Sequence, residues 1–208
     1  GKDNDHDGDG VKNEVTIAEM SALAIFNTTT PKPVQENYNG PGDKLFHDVG
    51  CAVCHIPVMK TTGHILPYQQ PEQPQQPFSN TNKYYEVNLV DSAAGFEPDP
   101  DNSDGMLIKL FSDLKRHDMG SRLQESLAGV SDIENRSFVT ARLWGVADTA
   151  PYLHDGRATT LTEAIEWHGG DAQQARNKFV ALPDSKKIAL LSYLRTLHTP
   201  DPELLKIN

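Results

Sequence analysis

The sequence predicts a mostly α fold with long irregular loops and one short β element, and three observations point to it. The last third of the chain carries helix start and stop signals at close intervals, beginning with the capping box Thr160-Leu161-Thr162-Glu163. The stretch Gly42-Asp43-Lys44-Leu45-Phe46-His47-Asp48-Val49 reads as a short helix. Between these regions the chain is polar and interrupted, and the 208 residues include 14 prolines and 15 glycines with only 37% apolar content. So little apolar sequence in so much irregular chain implies that part of the core surface comes from something other than side chains.

In chain order, Val15 to Phe26 forms a helix with a partial apolar stripe at Ile17, Met20 and Ala24, ended by a linker containing Pro31, Pro33, Gly40, Pro41 and Gly42. Residues 1–42 therefore separate from a domain over 43–208. The run Gln69-Gln70-Pro71-Glu72-Gln73-Pro74-Gln75-Gln76-Pro77 is a low-complexity, polyproline-prone loop, and Tyr84 to Val90 is the one strand-like segment. Met106 to Leu114 is amphipathic. Leu161, Ala164, Ile165 and His168 share a helix face that Gly169-Gly170 ends. Asp171-x-x-Gln174 resembles a second cap, for a helix through Leu182. Pro183-Asp184-Ser185 opens the last helix, with Ile188, Leu191, Leu194 and Leu197 as its apolar seam.

The only two cysteines lie in Cys51-Ala52-Val53-Cys54-His55, which spells C-x-x-C-H, the attachment motif of a c-type haem. Two thiols three positions apart can add to the two vinyl groups of a porphyrin while the adjacent imidazole takes the iron from below. A zinc site needs two further ligands, normally another C-x-x-C or an H-x-x-x-H pair, and the chain has neither. A redox dithiol should close a strand, whereas a helix runs into this motif. A structural disulfide or free thiol pair is the remaining alternative. The motif implies one covalent haem c, and a helix beside it with an apolar C-terminal helix is the minimum of a cytochrome c-like haem domain. Covalent attachment takes place outside the bacterial cytoplasm, so the expectation is a periplasmic or otherwise exported chain, from which a leader has been removed or of which Gly1 begins a cut piece. No run of about eighteen apolar residues marks a transmembrane helix. The formal charge of −10 argues against nucleic acid as a partner and for docking to basic patches on a redox protein.

The terminal segment Asp3-Asn4-Asp5-His6-Asp7-Gly8-Asp9-Gly10 through Glu14 is an acidic loop of the calcium type. Starting at Asp3 it satisfies D-x-D-x-D-G-x5-E, with Asp3, Asp5, Asp7 and Glu14 as ligands; starting at Asp5 it uses Asp7 and Asp9 but ends on Thr16. The alternative is a solvated acidic tail.

The occupant of the sixth iron position decides between electron transfer and small-molecule chemistry. His168 lies on an apolar helix face, where an imidazole needs a partner, although a helix-terminal histidine also interacts with the dipole and backbone carbonyls. Met119 sits in a loop, and Met59, Met106 and His64 have nothing to set them apart.

The segment Leu143-Trp144-Gly145 through Pro151-Tyr152-Leu153-His154-Asp155-Gly156 to Ile165 resembles the C-terminal haem domain of the bacterial di-haem cytochrome c peroxidase superfamily. With Ser112 to Gly120, Trp167-His168-Gly169-Gly170 and Glu14 to Phe26, the chain is similar to that superfamily's di-haem oxidoreductase family, also catalogued as thiol oxidoreductases, from about Asp5 to Leu197. In the superfamily's peroxidases the position matching His168 holds the ligating methionine, and in the methylamine dehydrogenase cofactor-maturing relative a tyrosine. The resemblance therefore implies a His55/His168 axial pair, with Met119 second.

Family members carry two C-x-x-C-H motifs and this chain carries one, so the resemblance implies the electron-transfer half of such a protein, partnered by a redox protein or an N-terminal haem domain. Peroxidase activity is not expected of it alone. Arg142, Trp144 and Tyr152 are expected to line the haem or the path to a partner. Arg142 and Arg157 can also pair with propionates, or simply with surface carboxylates. Two other functions compete: a peroxidase-like or thiol-oxidising enzyme in which His168 or Met119 leaves the iron and His117 or His154 moves protons, and a calcium-stabilised interaction module.

Overall fold

A computed structural model describes residues 17–69, 84–91 and 96–200. The acidic loop with Asp3, Asp5, Asp7, Asp9 and Glu14, and the Gln/Pro run from residue 70 onward, lie outside the described residues. In chain order the elements are α1 (Ile17–Thr29), β1 (Val34–Gln35), α2 (Gly42–Val49), β2 (Met59–Lys60), β3 (Ile65–Gln69), β4 (Tyr84–Asn88), β5 (Glu97–Asp99), β6 (Asn102–Ile108), β7 (Arg116–Asp118), α3 (Asp132–Asn135), β8 (Ser137–Val139), α4 (Leu161–Trp167), α5 (Gln173–Val180), α6 (Asp184–Leu194) and β9 (Leu197–His198).

Among the described residues this is a mixed architecture rather than a mostly α one, at about 36% helix and 20% strand. The described strands form four small sheets, ordered β1-β9, β2-β6-β5, β3-β4 and β7-β8. The expected strand at Tyr84 is present as β4. Most of the others carry no alternating apolar pattern, and Glu97-Pro98-Asp99 and Asn102-Ser103-Asp104-Gly105 have compositions that ordinarily read as turns. Side chain to backbone bonds hold them instead: Asp99 accepts from the N–H of Asp101, and Asn102 from that of Asp104. The expected amphipathic stretch at Met106 is the end of β6 followed by irregular chain.

The chain divides into two units. The first covers residues up to Lys32 and Lys60–Leu107. Here β3 and β4 pair antiparallel, with Tyr68 stacked on Tyr85 at 5.4 Å, and Lys60 bridges Asp99 and Asp101 at 2.9 and 2.7 Å. Met20 of the expected α1 stripe is exposed, as are Leu23 and Phe26.

The second unit, Pro33–Met59 and Ile108 onward, holds the attachment motif. Its core is built where α2 packs on α6, from Leu45, Phe46, Val49, Phe111, Phe179, Leu190, Leu191, Tyr193 and Leu194. Leu191, Leu194 and Leu197 of the expected seam are buried, the last in β9 just past the helix, and Leu190 joins them, while Ile188 is 61% exposed. Leu190 stands four residues before Leu194 and so keeps the helical spacing that Ile188 was expected to continue.

Helix α4 starts as its sequence requires. Thr160 Oγ1 accepts the N–H of Glu163, and the Glu163 carboxylate takes the N–H groups of Thr159 and Thr160. The cap expected at Asp171 is not made. Residues 170–172 form a single 3-10 turn before α5, and Asp171 instead accepts the backbone N–H of Asp118.

Candidate functional site

Helix α2 delivers the two cysteines. It ends on Gly50 at φ 103°, a left-handed conformation that glycine adopts without Cβ strain, with its N–H on the His47 carbonyl at 3.0 Å. The chain then turns tightly through Cys51–Val53, and the His55 N–H closes on the Cys51 carbonyl at 3.0 Å. That turn puts both sulfurs and the imidazole in one short loop. Both thiols are half-buried and unbridged. Burial pushes Cys51 up to about 11, and burial with the carboxylates of Asp113 and Asp171 raises Cys54. A redox dithiol needs a thiol pushed the other way.

His55 is oriented by a loop far away in sequence. Phe111 and Ser112 donate their N–H groups to the carbonyls of Pro57 and Ile56, and the Phe111 carbonyl accepts from His55 Nδ1 at 3.0 Å. Phe111 and Leu114 hold positive φ, 53° and 57°, in doing so; such strain in non-glycine residues collects at functional positions. Since a carbonyl can only accept, Nδ1 carries the proton and Nε2 the lone pair, the tautomer a metal requires. Burial pulls the ring down to about 4, outweighing the Phe111 carbonyl, so it is neutral at pH 7.

His168 repeats this arrangement one residue past the end of α4, as its C-cap rather than on the helix face expected of it. Its Nδ1 donates to the Ala164 carbonyl at 2.7 Å, one turn back, and burial lowers its affinity for a proton. The His55 and His168 ring centres are 6.4 Å apart. An imidazole nitrogen binds a first-row metal at about 2 Å, and roughly an ångström more from nitrogen to ring centre on each side gives about 6 Å between two rings sharing one ion. Cys51, Leu143, Val146 and Ile165 pack, half-buried, against the hydrophobic core of this unit. Two neutral imidazoles at metal-sharing separation, with two unbridged thiols in the short loop that carries one of them, fit a haem.

The other expected residues are distributed as follows. Met119 is half-buried, with its carbonyl against Gly169. The guanidinium of Arg142 lies 5.4 Å from the Trp144 ring, and Trp144 Nε1 donates to the Lys109 carbonyl. Tyr152 packs on the core, its hydroxyl donating to the Val146 carbonyl at 2.9 Å. Arg157 pairs with Asp155, the surface-carboxylate alternative. His154 stacks on Phe138 at 4.3 Å beside Glu125. His64 bonds the Asp104 carbonyl and Met106 is core, both in the first unit.

Asp113, which sequence reasoning passed over, is 9% exposed and accepts His117 Nε2 at 2.8 Å. Its carboxylate, a His117 nitrogen and Cys54 Sγ all lie within 4.8 Å of one another. The zinc alternative thus gains donors that spacing could not reveal, but such a set leaves Cys51, His55 and His168 unexplained. Burial raises the Asp113 carboxyl, and bonds from the Lys115 N–H, the Thr140 hydroxyl and His117 more than offset it, holding the group at about 2. A carboxylate depressed on folding stabilises above its unfolded value of about 3.9 and loses that contribution as pH falls through the folded one. In thermal melts the advantage of wild type over Asp113→Asn is therefore expected to be constant above about pH 5 and to vanish towards pH 2.

No curated protein and no solved structure matches the chain. One family model does, described as di-haem oxidoreductase, putative peroxidase, and it matches residues 14–197, nearly the whole chain. That span includes the attachment motif and both histidines, and the family implies haem as the cofactor. The chain belongs to the di-haem oxidoreductase, putative peroxidase family.

Proposed function

We propose that this chain is a one-electron-transfer domain built around a single covalently held, six-coordinate haem c, with His55 and His168 on its two faces. The observation that carries the reading is the pair of neutral imidazoles 6.4 Å apart, each with Nδ1 committed to a backbone carbonyl. Haem bound there supplies a couple between ferric and ferrous iron. Cys51 and Cys54 tether it. Phe111 and Ala164 fix the ring planes through their carbonyls and keep Nε2 of each histidine unprotonated. With His55 and His168 both bound to it, the haem would offer peroxide no vacant position. This domain then relays electrons to or from a second redox centre, on a partner protein or an N-terminal haem domain, in an exported, periplasmic setting.

Carbon monoxide tests the reading, because it binds ferrous haem only where an axial position opens. The reduced protein is expected to bind it slowly at neutral pH, at a rate limited by departure of His168. Fast, concentration-proportional binding points instead to the peroxidase-like reading.

A further inference from the structure

His168 is held from behind as well as through its ring. The turn after it lies directly against the backbone of residues 118–120. Gly170 has φ +51°, and a Cβ there would fall 2.0 Å from the Asp118 carbonyl oxygen and 2.7 Å from the Gly120 nitrogen. A Cβ on Gly169 would meet the Met119 carbonyl oxygen at 2.9 Å. These neighbours are main chain, so no rotamer change relieves the contact.

The opposing segment is itself fixed. The Asp118 carboxylate accepts the Gly120 N–H at 2.8 Å and Arg136 Nε at 2.9 Å, and the Met119 N–H donates to the Arg136 carbonyl at 2.8 Å. A hydrogen bond then ties the two pieces together: the Asp118 N–H donates to Asp171 Oδ2 at 3.1 Å, one residue beyond Gly170. By contrast, His168 caps a helix of only seven residues, and its own helix holds it through the Ile165 and Ala164 carbonyls alone.

We infer that Gly170 and Asp171 are positioning residues for His168: they clamp its turn onto the Asp118–Gly120 segment, and the closeness of that clamp sets how readily the imidazole leaves the iron. The inference rests on the His55/His168 axial pair. Gly170 supplies a main-chain approach that any side chain would push apart, and Asp171 supplies the bond that keeps the two backbones together. Loosening either one raises the population with an open axial position, and the apparent affinity for an external ligand scales with that population.

The test uses the haem-loaded full chain, with spin state by EPR and carbon monoxide association as readouts. In Gly170→Ala a high-spin fraction is expected, with carbon monoxide binding at least about tenfold faster. Gly129→Ala is the control for backbone strain alone, because Gly129 has φ +78° with nothing within 4 Å of its would-be Cβ, and it should match wild type. Asp171→Ala removes the acceptor from a side chain that is 59% exposed, so folding is not at issue if Gly170→Ala fails to accumulate. It should shift both readouts in the same direction, by roughly threefold in rate. Asp171→Asn keeps an acceptor oxygen while losing the charge, and should restore wild-type behaviour. A low-spin wild type whose Asp171→Ala and Gly170→Ala variants keep its spectrum and rate overturns the clamp and leaves the axial pair standing. A high-spin wild type overturns the axial pair and the clamp with it.

Discussion

His168→Ala is expected to convert the oxidised protein from a low-spin to a predominantly high-spin haem and to raise its carbon monoxide association rate by about a hundredfold or more, since the open state passes from a minor population to the major one. The variant removes only one imidazole, which donates to Ala164 and packs 6.4 Å from His55. Capping of α4 by Thr160 and Glu163 lies at the other end of that helix, so its start survives the substitution. Exogenous imidazole should return the low-spin spectrum by filling the vacated space, a rescue that a general loss of structure would not permit. If Met119 takes the position instead, the variant stays low-spin with thioether rather than imidazole ligation, and added imidazole changes little.

Phe46→Ala carries the second large effect, and it joins the core to the iron. Phe46 is 1% exposed, with ring centres 6.1 Å from Phe111 and 5.7 Å from Tyr193. Deleting a fully buried phenyl ring costs about 3–5 kcal/mol, and edge-to-face partners add to the loss. Against a total stability of roughly 5–15 kcal/mol that is a large share, readable as a lowered denaturation midpoint. Phe111 also offers the carbonyl that holds His55 Nδ1, so the cavity should weaken that bond, make His55 a poorer donor to ferric iron and raise the midpoint potential. Phe179→Ala is the comparison. Phe179 is equally buried in the same core, but among the described residues it makes no ring contact with Phe111. It should cost similar stability without the shift in potential.

What the sequence revealed was whatever its spacing or capping chemistry encodes over a few residues. C-x-x-C-H, the Thr160 capping box, α2 and the last helix are all of this kind. The small sheets were hidden because segments such as Glu97–Asp99 look like turns and owe their pairing to side chain to backbone bonds. The carbonyls of Phe111 and Ala164, which orient the two histidines, were equally hidden, since a backbone oxygen has no residue type to recognise. Asp113 and His117 reach Cys54 only through tertiary folding. Gly169-Gly170 illustrates a partial reading: α4 ends just before the pair, with His168 as its C-cap, and the tight constraint on the glycines comes from the neighbouring backbone at Asp118 to Gly120.

The most direct test of a haem held between two imidazoles is the low-temperature EPR spectrum of the oxidised wild-type protein at pH 7. The axial pair predicts a single low-spin ferric signal with no high-spin component, from a haem that stays with the chain on acid–acetone extraction. A dominant high-spin signal would mean an open or weakly held iron position, and would contradict the account of His168 as the second axial ligand.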